Sequence, residues 1–127
     1  MGKYGQAAIL AMELIEKDQY ANPKVAWEQA TEQIFGKGTS SQCKGCPRGA
    51  FLGLCEAGLI KGVAAGEYCN SEHNKSYALK AVELLKKQPE LATNINQLWY
   101  KITKGEKAHN GQMDVVISLW GHNRIVR

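Results

Sequence analysis

The residues best suited to chemistry lie together in Lys44-Gly45-Cys46-Pro47-Arg48-Gly49. Proline fits the first position of a helix, where its missing N–H costs nothing, so Pro47 predicts a helix start. The N–H groups of Arg48, Gly49 and Ala50 would then stand free at the positive end of the helix dipole. Gly49 has no side chain to block a close approach, and Arg48 brings a forked cation. Lys44 and Lys37 lie just upstream, and no acidic residue occurs between Gln33 and Cys55. Free N–H groups, a dipole and unopposed cations describe an anion site. Its first candidates are Lys37, Lys44, Arg48 and Gly49, with His109, Asn110 and Gln112 as polar contacts from the other half of the chain. The ligand expected there is small, anionic and phosphate-bearing, nucleotides included. The Gly36-Lys37-Gly38-Thr39-Ser40-Ser41-Gln42 loop resembles phosphate-cradling loops in composition, but it lacks the G-x-x-x-x-G-K-[ST] order of a P-loop.

The same segment admits two other chemistries. Cys43, Cys46, Cys69 and His73 have the spacing of a zinc-ligand set. Against this, a domain of this size folds without a metal, so no bound metal and no cofactor is expected. Cys55 sits in an apolar run and reads as a small core residue. Cys46 at a helix start beside Arg48 would be a readily ionised thiol. With His109 as base it would make a nucleophilic pair, but nothing in the sequence brings the two together. The spacing therefore favours a binding protein over a cysteine-dependent enzyme.

The elements that must position these residues are helical almost throughout. Tyr4, Ala7, Ala8, Ala11, Leu14 and Ile15 share one face of a first helix. A second begins with Asn22 as cap and Pro23 at its first position, runs through Trp27 and Ile34, and stops at Gly36. The third is Pro47 to Ala57, with Gly58 as its left-handed cap. Its Gly49, Gly53 and Ala57 recur every four residues and leave one face bare for another helix or a ligand. After an irregular stretch from Leu59 to Asn70, a fourth helix starts near Ser71 to Asn74 and ends before Pro89. A fifth starts near Thr93 or Asn94 and ends at Gly105. A sixth runs from about Gln112 to Trp120, although Val115-Val116-Ile117 would also suit a strand. Trp27, Trp99 and Trp120 fall at core spacing.

An internal resemblance links Ala8-Ile9-Leu10-Ala11-Met12-Glu13-Leu14-Ile15 to Ala78-Leu79-Lys80-Ala81-Val82-Glu83-Leu84-Leu85, each followed by a shorter helix centred on a tryptophan. Two copies of a three-helix unit would explain it, and so would the general similarity of amphipathic helices. The expectation is an all-α, single-domain bundle of about six helices spanning residues 1–127.

A chain of 127 residues with 44% apolar and 22% charged residues has the composition of a soluble globular domain. Its net charge of +4 permits an anionic partner without the dense basic stripe of a nucleic-acid binder. Lys86, Lys87, Lys101, Lys104 and Lys107 read as solvated helix faces and ends. A protein-binding or nucleic-acid-binding adaptor with a basic surface is the remaining alternative, though the third helix is too apolar and glycine-rich to read bases. Without a signal core or a bilayer-length apolar run, a cytoplasmic protein with no membrane partner is expected. Its oligomeric state is open, a homo-oligomer included.

The stretch Lys44-Gly45-Cys46-Pro47-Arg48-Gly49-Ala50-Phe51-Leu52-Gly53-Leu54-Cys55-Glu56-Ala57-Gly58-Leu59-Ile60-Lys61-Gly62 resembles the signature of a small, uncharacterised family of bacterial and phage or mobile-element proteins. The resemblance extends from Gly2-Lys3-Tyr4-Gly5 through Asn74-Lys75 and Tyr77-Ala78-Leu79 to His109-Asn110 and Gln112-Met113-Asp114-Val115-Val116. No activity comes with it. It implies a context in which small proteins often bind ligands, some as sponges for nucleotide signals.

Overall fold

The computed structural model describes residues 2–17 and 22–127. The helices are α1 (Lys3–Glu16), α2 (Pro23–Phe35), α3 (Gly45–Glu56), α4 (Glu72–Lys87), α5 (Ile95–Thr103) and α6 (Gln112–Gly121), with a 3-10 turn at Pro89–Thr93. Among the described residues no strand forms, and the only sheet-like pairing is a single antiparallel bridge between Ile60 and Ile125. The fold is all-α, as the helical spacing predicted. Val115 and Val116 are wholly buried helix residues, so the strand alternative for that run falls away: β-branched residues are tolerated in a helix when tertiary packing claims them.

The internal resemblance has a partial counterpart in how the helices pack. α1 packs on α2 and α6, α4 packs on α5 and α3, and α3 and α6 lie against each other. The details repeat as well. Asn22 and Asn94 each cap the helix that follows, accepting from the N–H groups of Lys24 and Gln97. Four residues after each tryptophan a threonine hydroxyl donates to that tryptophan's carbonyl: Thr31 to Trp27 at 2.9 Å and Thr103 to Trp99 at 3.0 Å.

α3 and α6 end alike. Gly58 and Asn123 adopt left-handed backbones with φ of 75° and 58°, and Leu59 and Arg124 return their N–H groups to Leu54 and Leu119. Such a left-handed cap satisfies carbonyls that the helix leaves open. The two exiting chains then cross, with Lys61 and Val126 donating to Arg124 and Leu59.

At the opposite end of these helices, Pro47 in α3 stands 3.5 Å from where a Cβ on Gly111, the residue before α6, would lie. α3 and α6 therefore run in the same direction. α1 joins them: Gly2 lies against Asp114 at the start of α6, and Glu16 at its end pairs with Arg124. The core between the halves is Phe51, Leu52, Leu54, Met113, Val116 and Leu119, all fully buried, with Trp27 stacked on Phe51 at 5.1 Å.

α3 meets α4 through the bare face. A Cβ on Gly49 would sit 2.8 Å from that of Asn74, and one on Gly53 would sit 2.7 Å from the Lys75 Cα. The occupant of the glycine face is thus a helix. Gly49 is buried beneath α4 and is not open to a ligand, which corrects its expected role. The structure also moves the start of α3. Lys44 is the cap residue and Gly45 the first helical one, so Pro47 is third and Cys46 is not the cap. The first-turn N–H groups belong to Gly45 and Cys46 rather than to Arg48, Gly49 and Ala50. Proline costs no hydrogen bond at the third position either, because the first four N–H groups of a helix have no intrahelical partner.

Candidate functional site

The repeat gathers four helix starts at one end of the molecule. α3 meets α4 where Gly49 faces Ser71 and Asn74, α6 meets α1 where Asp114 faces Gly2, and α3 meets α6 where Pro47 faces Gly111. α6 meets α4 through a hydrogen bond from Gln112 Nε2 to Asn74 Oδ1 at 3.1 Å. α1 meets the approach to α3 twice. The Tyr4 hydroxyl donates to the Ser41 carbonyl at 3.0 Å, and the Lys44 ammonium lies 5.8 Å from the centre of the Tyr4 ring. The cap residues of α1, α3 and α4 supply no side-chain cap of their own, although at α4 the Cys69 thiol accepts from the Ser71 N–H. Helix dipoles that start together add their positive ends, and uncapped N–H groups carry that charge. The first turns at this end hold two carboxylates, Glu72 in α4 and Asp114 in α6.

His109, Asn110 and Gln112 do reach this end, as expected, but their polar atoms serve the fold. His109 Nε2 accepts from the Met113 N–H at 3.0 Å and so caps α6, while its ring packs edge-on against Trp99. Gln112 is buried and hydrogen-bonded at both ends, accepting from the Asn110 N–H through Oε1 while Nε2 donates to Asn74. Asn74 in turn donates to the Ser71 hydroxyl at 2.8 Å.

Burial lowers the pKa of His109 from 6.5; the Asp114 charge opposes that shift and the Lys44 charge adds to it. A pKa lower in the folded than in the unfolded state means that the neutral ring stabilises the fold above pH 6.5. That contribution is lost as pH falls below it, because a proton on Nε2 would abolish the acceptor. His109→Ala is expected to cost about 1 kcal/mol, the value of a helix cap. It should also shrink the stability difference between about pH 7.5 and about pH 5.5. Urea unfolding at both values checks this.

Arg48 and Lys37 do not join the cluster. Lys37 is exposed in the loop. Arg48 points to the other side of α3, where it lines two adjoining grooves. One, of about 190 Å³, is shared with Trp27, Glu28, Thr31, Gln42 and Cys43. The other, of about 270 Å³, is shared with Lys24, Glu67, Tyr68, Cys69 and Asn70. The acid-free stretch from Gln33 to Cys55 is therefore not acid-free in space, since Glu28 and Glu67 fold beside it. Among the described residues the ion pairs are Lys75–Glu56 and Arg124–Glu16, so Arg48 keeps an unpaired guanidinium.

The expected alternatives are also placed. Among the described residues no group of three histidine, cysteine or acidic side chains comes together, so Cys43, Cys46, Cys69 and His73 form no ligand set. The Cys69 thiol instead lies 3.5 Å from the Gly49 and Ser71 carbonyls and accepts from the Ser71 N–H at 3.3 Å. Cys55 is a core residue whose thiol burial pushes its pKa up. His109, the base considered for Cys46, accepts from the Met113 N–H through Nε2.

Two features escaped the sequence reading. Asn74 links the starts of α4 and α6, and only their proximity reveals it. A cleft of about 320 Å³ between α4 and α5 is rimmed by Lys80, Lys87 and Lys101 with Glu83, over Leu84 and Ile102. Lys80 and Lys87 lie in α4 and Lys101 in α5, so no local charge run announces it.

No helix among the described residues is long and apolar enough to cross a membrane. No curated protein and no solved structure matches the chain. A family model does match, over residues 1–126, and on that ground the chain belongs to the family of unknown function DUF6979.

Proposed function

We propose that this is a non-enzymatic cytoplasmic protein that binds, and thereby sequesters, a small phosphate-bearing anion, a nucleotide among the candidates. Binding would occur where α1, α3, α4 and α6 begin. The observation that carries the reading is the convergence of four helix starts beside Lys44, with α1 and α3 given no side-chain cap by their cap residues. An anion there would meet the N–H groups of Gly45 and Cys46, the summed dipoles and the Lys44 ammonium. Asp114 and Glu72 limit the net field and favour a ligand that reaches Lys44 over a diffuse polyanion. The likeness to phage and mobile-element proteins in the α3 signature fits a sequestering role, by analogy alone.

The test is calorimetric titration against a panel of nucleotides and phosphorylated metabolites. A charge-assisted hydrogen bond contributes about 1.5–3 kcal/mol, so Lys44→Ala should weaken the best ligand by roughly tenfold to a hundredfold. Cys46→Ser should leave affinity intact, since only the Cys46 backbone is used. The reading fails if no anion binds, or if Lys44→Ala leaves affinity unchanged. Turnover that depends on Cys46 would replace binding by catalysis.

A further inference from the structure

The cleft between α4 and α5 gathers cations that no carboxylate engages. Lys80, Leu84 and Lys87 recur at helical spacing along α4, and Lys101 and Ile102 line the other side from α5. Among the described residues the ion pairs are Lys75–Glu56 and Arg124–Glu16, so Lys80, Lys87 and Lys101 have no carboxylate within pairing distance. Lys80 and Lys87 are exposed and Lys101 is half-buried. A lysine lays its stem along apolar surface and keeps its ammonium in water, which leaves all three charges open to a ligand at the rim.

The floor is apolar and uncovered. Leu84 and Ile102 are half-buried beneath about 320 Å³ of free space. In the internal resemblance Leu84 corresponds to Leu14, which is only 8% exposed, and Lys80 corresponds to Leu10. The position that packing closes in the first half is thus open in the second, with a cation at its edge. Glu83 does not cancel the field. Glu83 and Lys80 also line the neighbouring groove of Glu72, Lys75, Ser76 and Leu79, which places them on the ridge between the two. Glu83 falls three residues after Lys80 and four before Lys87, the spacings at which opposite charges on a helix offset each other. Three lysines against one carboxylate leave the cleft cationic.

We propose that this cleft is a second binding site, for a small amphipathic anion: an apolar body that ends in one carboxylate or phosphate group. The body lies on Leu84 and Ile102, and the head is held at the rim by Lys87 and Lys101, with Lys80 beside them. The volume is at the low end of ligand pockets, which run from roughly 300 to 1,000 Å³, so a short acyl chain or a single aromatic ring suits it. Burial of the body supplies affinity, while the lysines select the sign of the charge and orient the ligand. The site shares no residue with the cluster of helix starts, and either can exist without the other.

Carbon-13 methyl NMR of the full chain reads the cleft directly, because Leu84 and Ile102 have their own methyl resonances. The chain is titrated with octanoate and separately with octyl phosphate, at ionic strength held constant with chloride. The Leu84 and Ile102 methyls should move saturably with at least one of the two, while those of the core residues Met113 and Leu119 stay still. The tighter arm identifies the head group. Each methylene that enters the cleft contributes up to roughly fourfold in affinity, so acetate and inorganic phosphate, heads without a body, should bind at least tenfold more weakly. Octyltrimethylammonium, the same body with the opposite charge, should also bind at least tenfold more weakly. Lys87→Glu should weaken the tighter anion by roughly tenfold. Lys86→Glu makes the same change of charge at an exposed neighbour that lines neither groove, and its effect should be much smaller. Lys101→Gln should weaken binding severalfold, and Lys44→Ala should leave it unchanged. The proposal is overturned if the Leu84 and Ile102 methyls drift linearly with both octanoate and octyl phosphate, if octyltrimethylammonium or the bare heads bind as tightly, or if Lys87→Glu and Lys86→Glu lower affinity equally.

Discussion

Gly53→Ala is expected to destabilise the fold by about 1–3 kcal/mol, the usual cost of forcing extra volume into a packed interior. In an open helix the same change would stabilise by roughly 0.5–1 kcal/mol. What reverses the sign is backbone: the new methyl would stand 2.7 Å from the Lys75 Cα, and a main-chain atom cannot swing aside as a side-chain tip can. α4 would have to lift from α3, carrying Asn74 and its bond to Gln112 away from the start of α6. The fall in melting temperature should be roughly 3–15 °C for a domain of this size. Gly121→Ala is the control, because that helical glycine has nothing within 4 Å of its would-be Cβ. It should be neutral or slightly stabilising. Equal melting temperatures for the two variants would mean that α3 and α4 are not locked by the glycine face.

That face was legible in the sequence, because glycine every four residues within an apolar helix leaves few uses other than close approach. Its occupant was not legible, since a helix and a ligand make the same demand on the pattern. The helix order, the Asn22 and Asn94 starts and the Gly36 and Gly58 stops were readable because each depends on residues within one turn of the feature. The start of α3 was misread by two positions: proline is accepted at more than one place in a first turn, and the true cap, Lys44, carries no capping side chain to announce it. The candidate site was only half legible. Lys44, His109, Asn110 and Gln112 do gather, but Arg48 turns to the far side of α3, a consequence of helix rotation that residue types alone do not reveal. His109 and Gln112 looked free because the partners that occupy them, the Met113 N–H and Asn74, become visible only once the chain is folded. The repeat was faint in sequence because its strongest marks are geometric: the paired threonine-to-tryptophan bonds and the left-handed caps at Gly58 and Asn123.

Glu56 should govern how the fold responds to acid. Its carboxylate accepts from the N–H groups of Tyr68 and Cys69, each at 3.0 Å, and from the Lys75 ammonium at 2.6 Å. One side chain at the end of α3 thus clasps both the chain entering α4 and α4 itself. The Lys75 hydrogen bond, followed by the backbone bonds, holds the Glu56 pKa down from 4.5 to about 2, and the same pairing raises that of Lys75. A carboxylate with a lower pKa in the folded than in the unfolded state stabilises the fold in full above pH 4.5. The contribution is lost between 4.5 and about 2 as the folded-state carboxylate takes up its proton. Glu56→Gln should remove that pH dependence and leave the Tyr68 and Cys69 amides facing a weaker acceptor, so their hydrogen exchange at neutral pH should accelerate while that of the α6 core stays slow. Acid unfolding curves that superimpose for the two proteins would show that the clasp contributes nothing. The clasp also bears on Arg48, because Tyr68 and Cys69 form one wall of its larger groove. Anion binding at the helix starts, which depends on Lys44 and the first turn of α3, should be unchanged by Glu56→Gln.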